Sequence, residues 1–396
     1  MCLKKEGDAV KAAVLGFGTV GKGVYEMLRE SPVFEAGPVL VRAGKVKEDF
    51  QVSSPELIFG DPTVDAVVEV LGGLDPAFSY GMRALEAGKH FITANKAMVA
   101  AHGLELASLA REKGVAFLFS AACGGGVPVL HNLALSAETD TIRSVSGILN
   151  GTTNYMLDAM QRRDLTYEQA LAEAQSLGYA EADPSADVSG LDALRKMQLA
   201  CAVAFGVLPN GGMGCEGIEH FTAGDVADIS RRGLVCRLVA HGCRAGDTVS
   251  AYIEPTLFPR SAPEASVPEN YNMARYTGEN CGPIVLMGQG AGRFPTASAL
   301  LRDMAAIEQG ARAMFPEDCR TADADNSLAG HPYYIRVNSH ADHHLPLRHI
   351  LSEDGCIRAV TESMSVDAMH SLAQNIRKSG AELFFAALED DYAESL

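Results

Sequence analysis

The loop Gly16-Phe17-Gly18-Thr19-Val20-Gly21 is the feature that most narrows what this chain can fold into. It follows a short apolar run, Lys11 to Leu15, that reads as a buried strand, and it opens a helix pattern reaching about Glu30. In that setting a G-x-G-x-x-G has a mechanical meaning that the bare motif lacks. Gly16 allows the tight turn, Gly18 lets the main chain approach a pyrophosphate, and Gly21 lets the helix lie close to the sheet. The helix N-terminus then offers N–H groups and a partial positive charge to an anion. A purely structural turn is the alternative reading of the same residues.

The pattern around the loop repeats. Val39 to Arg42, Asp65 to Leu71, His90 to Thr93 and Val115 to Phe119 are short apolar runs. Helix patterns over about 76–87 and 97–112 separate them and stop at Gly88 and Gly114. This alternation predicts an α/β fold whose first domain, residues 1–128, is a Rossmann doubly wound parallel sheet. Beyond Cys123-Gly124-Gly125-Gly126-Val127-Pro128 the pattern changes. A strand from Ile142 to Leu149, helices near 165–177 and 187–205, and strands near 248–256 and 283–288 predict an α+β second domain over 129–310. Its helix at 295–310 is expected to return to the first domain. Residues 311–330 read as a linker, and 331–396 as a small strand-helix-strand-helix-strand module.

A site specific for NAD would place Asp or Glu at the end of the second strand, against the ribose 2′-hydroxyl. Arg42 stands there instead, with Lys45 three residues on. A cationic pair suits a 2′-phosphate, so NADP is the preferred cofactor and NAD the alternative; solvated loop charges are the plainer reading of the pair. The formal net charge of −17 argues against nucleic acid as a partner, since phosphate binding needs clustered Lys and Arg. No 18-residue apolar run is present, so no membrane span is expected. Met1 to Asp8 is polar and lacks the apolar core of a secretory signal, which points to the cytoplasm. Nine cysteines without a CxxC pair argue against a disulfide framework and a structural zinc site.

The stretch from Gly178 to Lys196 holds the densest chemistry. Glu181, Asp183 and Asp187 surround Pro184 in a loop, and Asp187 or Ser189 is placed to cap a following helix. On that helix Asp192 and Lys196 stand at i and i+4 and share one face. Leu191, Leu194, Met197 and Leu199 occupy much of the remainder, so the pair is expected to be partly desolvated. A lysine beside a carboxylate in a partly dry cleft can serve as general acid or base. On spacing alone, a solvated helix bridge worth about 0.3–0.5 kcal/mol is the better reading of the pair.

Taken together the motifs resemble homoserine dehydrogenase. The matching segments are Gly16 to Val24, Gly88-Lys89-His90-Phe91-Ile92-Thr93-Ala94-Asn95-Lys96-Ala97, Gly124-Gly125-Gly126-Val127-Pro128, Gly147 to Tyr155, Gly178 to Lys196, Gly290-Ala291-Gly292 and Pro295 to Ala299. The resemblance implies reversible hydride transfer between L-homoserine and L-aspartate 4-semialdehyde. It implies that Lys196 donates the proton to the aldehyde oxygen, that Asp192 orients Lys196, and that Glu181 holds the substrate ammonium. It places Lys96 near both nicotinamide and substrate, and makes Thr152 and Asp187 substrate contacts. Phe17, Thr19, Val20, Leu71, Gly72, Thr93 and Gly290 match cofactor-lining positions. Members of the family also hold a monovalent cation, Na+ or K+, on main-chain carbonyls. The matching positions are Ser120, Cys123, Gly125 and Val127, with Ser120 standing where the family usually has Glu. A homodimer or higher homo-oligomer through the second domain is also implied.

Two other readings remain at this stage. Cys123, in a glycine-rich loop, offers a nucleophile for a semialdehyde dehydrogenase, although a buried small side chain explains it as well. A catalytically inactive cofactor or amino-acid sensor is the other. The tail begins, at His331-Pro332-Tyr333-Tyr334-Ile335-Arg336-Val337, like the ACT module that follows many homoserine dehydrogenases. His344-Leu345 replaces the usual Pro-Gly before the helix, and one strand is expected to be missing. Dimer packing then becomes an alternative to effector binding. His340, His343, His344 and His349 read as a solvated histidine cluster rather than a metal site.

Overall fold

The computed structural model describes residues 9–338, 345–352, 355–389 and 393. Met1 to Asp8, His340, Ala341-Asp342, His343 and His344 therefore lie outside the described residues. The chain divides into two compact units: 1–139 with 202–206 and 289–320, and 140–201 with 207–288 and 321–396.

The first unit runs β1 (Val10–Leu15), α1 (Thr19–Glu30), β2 (Phe34–Leu40), β3 (Gln51–Val52), α2 (Glu56–Phe59), β4 (Ala66–Glu69), α3 (Ala77–Glu86), β5 (His90–Thr93), α4 (Lys96–Lys113), β6 (Phe117–Leu118) and α5 (Val129–Ala137). Its sheet has the order β3-β2-β1-β4-β5-β6, with every pairing parallel. This is the Rossmann order, and its reversal between β1 and β4 makes a crevice at the carboxyl ends of the strands. Ala12, Ala13, Val14 and Leu15 are all fully buried, as a central parallel strand covered on both faces requires. α1 buries Gly21, Val24, Tyr25 and Leu28, a helical stripe. α4 starts at Asn95, whose side chain accepts from Met98 N, and stops at Gly114 in the left-handed conformation.

The second unit continues with β7 (Ile142–Ile148), α6 (Gly151–Arg163), α7 (Tyr167–Ser176), α8 (Ser185–Val188), α9 (Leu191–Phe205), β8 (Val207–Gly211), β9 (Gly214–Cys215), α10 (Ala223–Arg231), β10 (Leu234–Ala245), β11 (Thr248–Pro259), β12 (Tyr271–Gly278) and β13 (Gly282–Gln289). α11 (Arg293–Glu308) belongs to the first unit, where it packs on α1 and pairs Arg293 with Glu26. The chain then passes β14 (Arg320–Asp323), β15 (Gly330–His331), β16 (Tyr333–Val337), β17 (Leu347–Ser352), β18 (Ile357–Thr361), β19 (Met364–Ser365), α12 (Val366–Lys378) and β20 (Leu383–Ala387). One sheet takes in most of these strands, in the order β13-β12-β7-β10-β11-β20-β16-β18-β17, with β9 added beside β11.

Several details differ from the sequence reading. The helix expected over 187–205 is two helices, α8 and α9, because Gly190 takes a φ of 86° between them. Ser189 does not cap the second: its hydroxyl is buried without a hydrogen-bond partner. The stretch read as a linker contains β14, which pairs with β8. Among the described residues the tail has four strands of five or six residues and one helix, so no strand is missing from it.

The tail is stitched to the rest of its unit by more than apolar packing. β20 pairs in parallel with β11, Thr256 opposite Ala387. Arg336 Nε lies 2.8 Å from Asp225 Oδ1, and the Tyr334 hydroxyl donates to Asp228 at 3.1 Å. Arg377 of α12 holds both oxygens of Glu216, at 2.7 and 2.9 Å, in the bidentate geometry that suits guanidinium and carboxylate.

Candidate active site

The second unit gathers its polar groups where β7 ends and α6 begins. Asn150 is the N-cap of α6: its Oδ1 accepts from Thr153 N at 2.8 Å. The amide nitrogen of the same side chain faces the other way. Nδ2 donates to Asp187 Oδ1 at 2.7 Å and to Asp192 Oδ2 at 2.9 Å. One amide thus both starts the helix and ties together two carboxylates that would otherwise repel.

Asp192 Oδ2 lies 2.7 Å from Lys196 Nζ, one helical turn on. Lys196 Nζ also donates to the main-chain oxygen of Leu149 at 2.6 Å. That oxygen accepts a second bond, at 3.0 Å, from Asn272 Nδ2. The lysine and aspartate side chains are only 12% and 15% exposed, so the pair is not a solvated surface bridge. Burial raises the Asp187 pKa, opposed by the Asn150 amide, while the nearby Asp192 charge adds to the rise and Lys196 offsets it. Thr152 Oγ1 donates to the Tyr179 carbonyl at 2.7 Å, which fixes the loop carrying Glu181 to the start of α6. Glu181 itself is exposed, and its carboxylate takes no part in the hydrogen bonds of this cluster.

In the first unit the glycine loop forms an open cradle. Gly16 has a φ of 107°, and its N–H donates to Leu40 O at 3.1 Å. A Cβ on Gly21 would sit 2.1 Å from Gly16 O, so only glycine fits there. A Cβ on Gly18 would meet nothing within 4 Å, and Gly18 caps α1 with no side-chain acceptor. The first turn of α1 therefore faces open space that suits a pyrophosphate. Phe17 meets Tyr25 and Phe50 edge-on, with ring centroids 6.1 and 5.7 Å apart. Arg42 and Lys45 stand exposed just past β2, brought together by a turn in which Lys45 N donates to Arg42 O at 2.9 Å.

Glu69 is the residue of this cradle that motif reading passed over. It ends β4 and is wholly buried. One oxygen accepts from Leu71 N at 2.6 Å and Gly72 N at 3.3 Å; the other accepts from Thr93 Oγ1 at 2.5 Å. Three positions expected to line a cofactor are thereby held by one carboxylate, whose pKa is raised by burial against those hydrogen bonds. Its signal was a single acid inside the apolar run Ala66-Val67-Val68-Glu69-Val70-Leu71. Lys96 is the first residue of α4, immediately after the Asn95 cap.

The loop after β6 is also well defined. Gly125 packs so closely that a Cβ would lie 2.4 Å from Gly290 O, and Gly126 N donates to Gln289 O at 3.1 Å. Ser120 N donates to Asp303 Oδ2 at 2.9 Å, and Arg302 donates to Gly126 O at 3.1 Å. Burial pushes the Asp303 carboxyl up to about 7. The carbonyls of Ser120 and Val127 each accept one main-chain hydrogen bond, from Cys123 N and Val129 N, which leaves a lone pair on each. Cys123 is completely buried, with no surface to offer a substrate. Among the described residues no group of three or more His, Cys, Asp or Glu is arranged to hold a metal ion.

Comparison with known proteins finds likeness over most of the chain. Residues 16–120 match the family model described as homoserine dehydrogenase, NAD binding domain, and residues 128–305 the model described as homoserine dehydrogenase. A homoserine dehydrogenase of Synechocystis sp. is 40% identical over 313 residues, 74% of this chain and 72% of that protein. The crystal structure of a homoserine dehydrogenase from Thiobacillus denitrificans superposes with a TM-score of 0.84 at 29% identity, over 97% of this chain and 99% of that one. A mutant of a hyperthermophilic archaeal homoserine dehydrogenase, solved in complex with NADPH, gives a TM-score of 0.66 at 25% identity, covering 76% of this chain and 98% of that one. The alternatives built on Cys123 or on an inactive sensor find no support in these likenesses. With its nucleotide-binding stretch and its catalytic stretch both matched, the chain belongs to the homoserine dehydrogenase family, oxidoreductases that work with a nicotinamide cofactor.

Proposed function

We propose that Lys196 is the proton donor when L-aspartate 4-semialdehyde is reduced to L-homoserine, and the acceptor in the reverse direction. The observation that carries this reading is the pair of short contacts that fix its Nζ, to Asp192 Oδ2 and to Leu149 O. A lysine clamped at two points is aimed before substrate arrives, and pre-aimed donors are what stabilise a developing alkoxide. Asp192 orients the ammonium, and Asn150 keeps Asp192 in place. Glu181 takes the substrate ammonium, with Asp187 and Thr152 as further substrate contacts and Lys96 near nicotinamide and substrate. When bound, the cofactor supplies or accepts the hydride at the carbon next to that oxygen.

NADP is the preferred cofactor in this reading, because Arg42 and Lys45 stand where a 2′-phosphate would need them and no acid stands there for a ribose hydroxyl. Phe17, Thr19, Val20, Leu71, Gly72, Thr93 and Gly290 line the remainder. The main-chain oxygens of Ser120, Cys123, Gly125 and Val127 would hold Na+ or K+, with the buried Asp303 carboxyl anchoring the loop through Ser120 N. A cytoplasmic homodimer completes the proposal. No described helix is long and apolar enough to cross a membrane, and the edge strand β13 leaves Val285 and Met287 exposed for a second copy to cover.

The deciding measurement is nucleotide reduction followed by absorbance with L-homoserine and each nucleotide. Lys196→Ala should lower kcat by about a thousandfold or more, the scale of a lost general acid combined with lost transition-state positioning. Cofactor affinity, read by fluorescence titration, should stay within about twofold. Retained turnover in Lys196→Ala would remove the lysine from the mechanism.

A further inference from the structure

We propose that the second unit carries an anion site, separate from the reaction site, built to take a phosphate group. A cavity of about 300 Å³ opens beside the second half of α6, lined among others by Asp158, Arg162, Ser230, Arg237 and Arg260. Three arginines line it against one carboxylate, so its lining is net positive in a chain that is strongly acidic overall.

Arg237 is the most buried of these side chains. It lies on β10 and is only 1% exposed. Nε donates to Glu264 O at 3.2 Å, and Nη2 reaches Asp158 Oδ1 at 3.1 Å and the carbonyls of Ala265 and Val267 at 3.0 and 3.2 Å. These contacts lock the guanidinium in place. Its remaining nitrogen, Nη1, is buried without any hydrogen-bond partner. A buried, charged donor left without an acceptor is costly, and a residue this firmly held cannot swing away to find one. Arg237 also lines the cavity, so a small shift of its neighbours would let a bound oxyanion become that acceptor.

The neighbouring charges fit the same ligand. Arg162 Nε shares Asp158 Oδ1 with Arg237, at 2.9 Å, so the single carboxylate is divided between two cations. Arg260 adds a third, exposed at the cavity mouth, and Ser230 adds a short hydroxyl. Planar guanidinium forks match phosphate oxygens, and the cavity's basic residues are all arginine, the side chain suited to that geometry. The size admits a small metabolite as well as the bare ion. Ten residues of α6, about 15 Å of helix, separate Arg162 from Thr152 at the reaction site. The two sites are thus distinct and share one rigid element.

The test uses the full chain with inorganic phosphate at constant ionic strength, followed by calorimetry and thermal unfolding. O-phospho-L-serine and L-serine are titrated in parallel. We expect saturable binding of phosphate with a rise in Tm. Arg162→Ala and Arg260→Ala should each weaken it about tenfold, the loss of one charge-assisted contact. Both side chains are largely exposed, so the unliganded Tm of these variants should stay close to that of the parent. Tighter binding of phosphoserine than of phosphate assigns the site to a phosphate ester; equal binding assigns it to the free ion. Phosphate binding that fails to saturate, or that is unchanged in the Arg162→Ala, Arg260→Ala double variant, overturns the proposal.

Discussion

Replacing Asn150 with Asp isolates the amide that holds the two carboxylates of the proposed active site together. The variant keeps an oxygen facing Thr153 N, so α6 keeps its cap. What changes is the other side, where Nδ2 donates at 2.7 and 2.9 Å to Asp187 and Asp192. A third carboxylate placed there meets two like charges. One such pair at 4 Å interacts by about 4 kcal/mol at an effective dielectric constant near 20. That corresponds to about 3 pH units, enough to lift one carboxyl of the trio from about 4 to near neutrality. The pKa belongs to the trio rather than to one residue. Below it the retained proton restores one of the two lost donors; above it the three charges push Asp192 off Lys196. The readout is the ratio of variant to parent kcat for homoserine oxidation between pH 5.5 and 9, which cancels the parent's own profile. It should be a tenth or more on the acid side and fall about tenfold per unit above neutrality, as the single proton is lost. A ratio that stays flat across this range, whether high or low, refutes the account of Asn150.

Three further outcomes follow from the geometry. Arg42→Ala should weaken NADP by about ten- to a hundredfold, the loss of a charge-assisted contact to a 2′-phosphate, and leave NAD unchanged; equal losses for both would show that Arg42 does not read the phosphate. Glu69 has a folded-state pKa raised above its usual 4.5, so the folded protein holds that proton more tightly than the unfolded chain. Parent stability then falls as pH rises from about 4.5 towards the folded-state value and levels above it. Urea unfolding should show the Glu69→Gln variant gaining on the parent across that window; a difference independent of pH would exclude the assignment. Arg377→Ala leaves Glu216 without its bidentate partner and should cost about 1.5–3 kcal/mol in the same unfolding assay, with an unshifted midpoint counting against the contact.

Much of the first unit could be read in the sequence because its strands are short, apolar and punctuated by glycine. The His90–Thr93 strand has the bounds the sequence reading places on it. The second unit was harder for a physical reason. β10 is buried almost continuously from Leu234 to Gly242, except at Val235 and His241, so it lacks the alternation that marks a half-exposed strand. It also contains Arg237, a charge that argues against a core strand until its partners are seen. Asp192 and Lys196 were legible from helix spacing, and their burial is what separates them from an ordinary surface pair. Asn150 stood inside a recognised segment yet drew no role, because an amide carries no charge and its two functions point in opposite directions. Only the folded main chain shows that Leu149 O is the second acceptor for the lysine.

The pairing of β20 with β11 also has a consequence for how the protein is made. β11 carries ten consecutive buried residues, Val249 to Phe258, and in the finished sheet it lies between β10 and β20. During synthesis β11 leaves the ribosome well before β20 exists. β9 already covers Tyr252 and Ile253 on that side, but until the tail arrives the stretch around Thr256 stays an open edge of main-chain donors and acceptors, the kind that recruits other chains. The tail therefore acts as a built-in cover for the nascent sheet. Chains cut after residue 330 should collect in inclusion bodies even though every group assigned to the reaction is still present.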